Sequence, residues 1–174
     1  VATLEEAIAL APQGDLVAEL ETRLGLTYTA LGRVDEAQTH LLRGMVVAEH
    51  IGDRVEHAIA ERGLARLDAI RGNPAALEAK IRSAAQVFEG LGETYELAVT
   101  LSMWGEALLD LPKSTRLRVP LEAVGDAAKR SAALFRELGV IALAAEALIT
   151  LARLESERDH YDQALALLEK AEQW

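Results

Sequence analysis

Apolar residues recur along this chain at helical spacing. Ala18, Leu20, Leu24, Tyr28 and Leu31 form one apolar stripe, and Val34, Ala37, Leu41, Met45 and Ala48 form another. Steps of three and four residues place such side chains on one face of an α-helix. No segment sustains the alternation and β-branched enrichment of a strand, so the pattern predicts helices and no sheet. The breaks carry Pro12, Pro74, Pro112 and Pro120, together with Gly14, Gly32, Gly52, Gly72, Gly92 and Gly139. Proline removes a helix hydrogen bond, and glycine supplies the left-handed residue that closes a helix. The predicted order is a short helix over 2–11 followed by four antiparallel pairs. These are 15–31 with 34–51, 54–71 with 75–91, 93–111 with 120–138, and 140–158 with 161–173. Most connections are short, as antiparallel neighbours require. One longer connection, 110–120, interrupts the third pair.

A register of forty residues overlies these helices. Leu24-Gly25, Leu64-Ala65 and Trp104-Gly105 each place a large residue before a small one, forty apart. Gly52 and Gly92 keep the same spacing. Ala18, Ala58 and Ala98 repeat it, with Ala145 as the fourth member. Leu151-Ala152 follows forty-seven residues after Trp104-Gly105, because the 110–120 connection adds seven. A fixed period in this range signals stacked supersecondary units. The small residues mark where helices touch, and the large ones bury against the next pair.

These residues resemble the tetratricopeptide repeat. That pattern has a large then a small residue in the first helix, an aromatic three further on, and Ala–large–Ala spacing in the second. The first repeat carries Leu24, Gly25, Tyr28, Gly32, Ala37, Leu41 and Gly44. The fourth carries Leu151, Ala152, Tyr161, Ala164, Leu168 and Ala171. The second keeps Leu64, Ala65, Ile81 and Ala84, with Asp68 where the aromatic is usual and Leu77 where alanine is usual. The third keeps Trp104, Gly105 and Leu108, and its second helix, with Val124, Ala128 and Ser131, diverges. The resemblance implies an all-α, right-handed α-α superhelix, a TPR-like solenoid of antiparallel helix pairs. Its units are 1–13 as a partial upstream repeat, then 14–52, 53–92, 93–139 with the inserted loop 110–120, and 140–174. A unit of forty instead of about 34 residues resembles the extended repeats of kinesin light chains, polarity adaptors and the sensor regions of large bacterial ATP-dependent regulators. The run from Arg136 to Ala171 resembles the bacterial group most. The chain opens at Val1 in the middle of a helical pattern and reads as a piece of a larger protein. Its two ends are expected to offer apolar surface for self-association or for a flanking domain.

Charge and chemistry narrow the function. The net charge is −10, which disfavours a direct nucleic-acid role. There is no cysteine, hence no disulfide and no thiolate chemistry. No stretch has the length of a membrane span or the form of a signal peptide, and the reading is cytoplasmic. Neither a phosphate-binding glycine loop nor a nucleophile elbow is present, so the chain reads as a non-enzyme without a cofactor. His50, Asp53, Glu56 and His57 gather at one turn and have the donor atoms of a cation site. Their spacing matches no metal motif, and the reading is helix capping with no metal. Glu155 and Glu157 lie two apart on one helix and do not face each other, so they read as a solvated face.

The resemblance assigns a concave groove to the first helix of each pair. Its lining maps to Thr22, Leu26, Arg62, Arg66, Ser102, Glu106, Ile149 and Arg153. Arg62 and Arg66 lie one turn apart and have the reach to hold an acidic peptide or a phosphate bidentately. The competing reading pairs them with Glu61, Glu106 and similar acids at the surface. On either reading Arg62 is expected to have little structural role. The stretch 111–120 is acid-free and carries Lys113, Arg116 and Arg118. Insertions that break a period map to a functional face, and exposed loops are also where change is tolerated. Together these features predict a non-catalytic protein–protein interaction scaffold in a bacterial signalling or regulatory protein. Its partner is a protein, a peptide or a flanking domain. The alternative is a small-molecule or peptide sensor domain of a transcriptional regulator, which requires a groove that closes into a pocket.

Overall fold

A turn recurs every twenty residues in the first half of the chain, and its backbone explains why. Gly32, Gly52, Gly72 and Gly92 all adopt φ between 72° and 78°, as does Gly139. This left-handed conformation costs glycine nothing and penalises a Cβ. At Gly52 it lets Asp53 N–H return to the Ala48 carbonyl at 2.9 Å, closing the helix end. Twenty residues after Gly139, Asp159 takes the same conformation with φ 63°. Aspartate tolerates it better than most residues, and its carboxylate accepts a hydrogen bond from the Tyr161 hydroxyl at 2.8 Å.

The computed structural model describes residues 15–116 and 121–173. Among these residues there are nine helices and no strand. They are α1 Asp15–Ala30, α2 Val34–Ile51, α3 Arg54–Ile70, α4 Pro74–Leu91, α5 Thr94–Leu109, α6 Lys113–Arg116, α7 Leu121–Glu137, α8 Ile141–Glu157 and α9 Tyr161–Glu172. The predicted pairs match these bounds to within a few residues. The predicted helix over 2–11 lies outside the described residues. The connection 110–120, expected as a loop, contains the short helix α6.

Apart from the short α6, the helices pack in pairs: α1 on α2, α3 on α4, α5 on α7 and α8 on α9. The second helix of each pair also packs on the first helix of the next. First helices touch one another in series, α1 with α3, α3 with α5 and α5 with α8. Close approach depends on the small residues. Leu41 of α2 is wedged between α1 and α3, and each presents a glycine to it. A Cβ on Gly25 would stand 2.6 Å from Leu41 Cγ, and one on Gly63 would stand 2.6 Å from Leu41 Cδ2. Gly105 is pressed in the same way by Thr150 of α8. In the last first helix the register of the buried alanine shifts. Ala144 is fully buried beside Ala98 and Phe135, and the expected Ala145 is half-buried.

Ala65 is completely buried at the same level of α3. Ala65→Leu adds three carbons where none fit, so it is expected to lower stability by about 1–3 kcal/mol. Urea unfolding of the variant checks this, and a wild-type midpoint would contradict the packing.

The polar positions inside the pairs also obey the register. Tyr28 stacks on His40 with centroids 5.2 Å apart, and His40 Nδ1 lies 2.6 Å from Glu21 Oε2. Forty residues on, Asp68 and Lys80 occupy the positions of Tyr28 and His40 and form an ion pair. The departure at Asp68 is therefore matched by Lys80: the ring stack that links α1 and α2 is replaced by a charge pair that links α3 and α4.

Candidate functional site

The eight residues expected to line a groove separate into a buried set and an exposed set. Thr22 is fully buried, Ser102 is nearly so, and Arg62 is 9% exposed. Leu26, Arg66 and Glu106 are half-buried, and Ile149 and Arg153 are exposed. The exposed set follows the first helices in chain order, two residues on α8 and one each on α1, α3 and α5.

Arg62 is a structural residue, contrary to the expectation from sequence. Its Nη1 lies 2.7 Å from Glu96 Oε2 on α5. The same nitrogen donates to the Glu96 carbonyl and to Thr100 Oγ1, each at 3.2 Å. The guanidinium also sits 5.7 Å from the Phe88 ring centroid. It thus joins α3, α4 and α5 from inside, and its acidic partner is Glu96 in the seam instead of Glu61 or Glu106 at the surface. The reason is placement. The side chain points along the seam between two first helices, where desolvation requires a charge to be paired. Ser102 donates instead to Glu106 Oε1 at 3.0 Å on its own helix. Arg66 reaches Asp110 Oδ2 at 3.6 Å, an exposed and therefore weak pair.

Thr22 meets the turn that carried the suspected metal donors. Asp53 caps α3 there, its carboxylate accepting from Glu56 N–H at 2.9 Å. His50 occupies the last turn of α2. Among the described residues no group of three or more His, Asp or Glu side chains is arranged to hold a metal ion. Glu56 is 9% exposed, and burial pushes its carboxyl above the usual range. The Thr22 hydroxyl pulls it down in part, and Asp53 and Glu19 push it further up. A carboxyl raised by folding favours the native state most when protonated. That contribution is complete below the ordinary carboxylate range and is lost as pH rises through the raised value. Glu56→Gln is therefore expected to be more stable than wild type at pH 7, with the advantage shrinking as pH falls into the carboxylate range. Thermal unfolding across pH 4–7 checks it, and equal or lower stability at pH 7 would contradict the assignment.

Glu155 corrects a second expectation. It is 4% exposed, not part of a solvated face. His160 Nδ1 lies 2.9 Å from one carboxylate oxygen, and Arg158 Nη1 lies 3.3 and 3.4 Å from the two. In the register Glu155 occupies the core-facing position of Tyr28, Asp68 and Leu108, which explains its burial. In the inserted stretch, Lys113 is exposed on α6. Arg116 ends that helix, and Arg118 lies outside the described residues. No helix among the described residues is long and apolar enough to cross a membrane.

No protein-family model and no curated protein matches the sequence. Among solved structures, the chain is similar to the crystal structure of BtubC (BKLC) from P. vanneervenii. The TM-score is 0.79 at 16% identity, over 99% of this chain and 70% of that one. At that identity the likeness concerns the fold.

Proposed function

We propose that this chain is a non-catalytic interaction scaffold with the right-handed superhelical stacking of tetratricopeptide repeats. It serves a bacterial signalling or regulatory protein in the cytoplasm. The observation that carries this reading is the series of first helices packed on one another, with Leu26, Arg66, Glu106, Ile149 and Arg153 reaching solvent in chain order. The forty-residue register supports the stacking, because such units bury a core only against their neighbours. Two cations, one acid and two aliphatic side chains follow one another along this surface, which suits an extended charged segment of a protein partner. Contacts of that kind govern specificity and association rate more than affinity. They weaken with salt, since exposed charges are screened over about 8–10 Å at physiological ionic strength.

The test is charge reversal at the two exposed arginines, which leaves the Arg62 anchor in place. Arg66→Glu with Arg153→Glu is expected to weaken the natural partner by about tenfold or more and to flatten the salt dependence, with the helical signal unchanged. Unchanged affinity would remove the first-helix face from consideration and turn attention to the basic insertion at Lys113.

A further inference from the structure

The junction of α2, α3 and α4 repeats that of α4, α5 and α7, with its filling groups removed. The register carries α2 and α3 forward by forty residues and α4 by forty-seven. In the later junction Phe88 and Leu97 are buried in one core cluster, and Leu134 packs against it. Beside them Arg130 of α7 reaches Glu89 of α4, with Nη2 2.6 Å from Oε1. An aromatic ring, aliphatic side chains and an ion pair together close that junction.

In the earlier junction Phe88 corresponds to Ala48, Leu97 to His57 and Leu134 to Val87. The next member of the Phe88 series is Phe135, again a buried ring, so Ala48 is the exception. Glu89 corresponds to Glu49, but Arg130 corresponds to Ser83. The Ser83 hydroxyl donates to Glu61 at 2.9 Å and leaves Glu49 alone. A cavity of about 190 Å³ opens here, lined by Ala48, Glu49, Asp53, Arg54, His57 and Val87. Among the described residues the side chains of Glu49, Arg54 and His57 have no partner. One oxygen of Asp53 accepts from Glu56 N–H. The junction has thus lost a phenyl ring and a cation and has kept the acid. An apolar cavity of about 150 Å³ holds benzene, so this one has room for a single ring with a short arm. Its acids belong to the lining itself, so ring and cation fit as one compact molecule.

We propose that this cavity binds a small free arylalkylammonium ion. The ring takes the place that Phe88 fills one junction later, on Ala48 and between Val87 and His57. Arg54 covers it from the rim, as Arg82 lies over Trp104 at 5.0 Å and Arg33 over Tyr28 at 4.5 Å. The ammonium takes the place of the Arg130 guanidinium at Glu49, with the second oxygen of Asp53 in the same lining. None of the five residues of the first-helix face takes part, so this site stands or falls separately from it.

The probe is 2-phenylethylamine, titrated into the whole ¹⁵N-labelled chain and read from the amide resonances of Gly52 and Asp53. Saturable shifts are expected. Ethylamine, which lacks the ring, and 2-phenylethanol, which lacks the cation, are each expected to bind about tenfold more weakly or worse. Glu49→Gln, a change at an exposed position, is expected to weaken the amine about fivefold. Val87→Phe fills the cavity from a half-buried position and is expected to abolish binding. Absence of saturation, wild-type affinity in Glu49→Gln, or equal affinity for 2-phenylethanol would overturn the proposal. So would tighter binding of the end-blocked peptide Gly-Phe-Lys-Gly than of the amine, because a protein segment would then be the occupant.

Discussion

Arg62→Ala is expected to lower stability by about 2–3 kcal/mol. The alanine removes an ion pair of 2.7 Å, two hydrogen bonds and a guanidinium–ring contact at once. It also strands Glu96, whose side chain is only 24% exposed, without its counter-charge. Both partners retain some access to water, which keeps the estimate below the full cost of a buried orphan charge. Urea unfolding of Arg62→Ala, Glu96→Gln and the double variant separates the terms. The double variant is expected to be less destabilised than the sum of the singles, since each single leaves one partner uncompensated. Additive losses would mean that the two side chains do not act as a pair.

Gly44→Val is expected to cost about 3 kcal/mol or more, because its neighbours cannot retreat. A Cβ at Gly44 would overlap the Thr22 hydroxyl. It would also stand 3.0 Å from the Thr22 backbone nitrogen and 3.1 Å from the Ala18 carbonyl. Those are main-chain atoms of α1, so α1 and α2 must separate along their length. Gly90 is the control. It lies in the last turn of α4, and a Cβ there meets nothing within 4 Å. Gly90→Ala is expected to stabilise by about 0.5–1 kcal/mol through helix propensity alone. Comparable destabilisation of both variants would refute the close contact between α1 and α2.

The helices and their ends were legible because each boundary carries its own local chemistry. Gly52 and Gly92 close helices through a left-handed backbone, and Asn73 with Pro74 opens one, the Asn73 side chain accepting from Ala76 N–H. The contacts at Gly25 and Gly105 were legible for a related reason, since a side chain missing at a fixed period inside a helix marks where a neighbouring helix presses close. Arg62 was not legible. An arginine on the surface and one in a seam look alike until Glu96, thirty-four residues away, is placed against it. Glu155 misled in the same way, because two acids spaced by two say nothing about which one faces the core. Register would have corrected it: the position belongs with Tyr28, Asp68 and Leu108, all core-facing or paired. The compensation of Asp68 by Lys80 was equally present in the sequence, and reading the two positions together would have found it. Burial of Thr22 and Ser102 depends on how tightly neighbouring first helices close, a quantity set by packing over the whole pair.

The central claim is that the exposed face of the first helices receives a protein partner. Site-specific photo-crosslinking in extract of the source cells tests it most directly. A benzophenone side chain is placed at Ile149, 42% exposed on α8, and separately at Val46, 61% exposed on α2. The account predicts a discrete protein adduct from position 149 that is lost in the Arg66→Glu with Arg153→Glu background, and none from position 46. Equal adducts from both positions, or an adduct from 149 that survives the charge reversal, would contradict it.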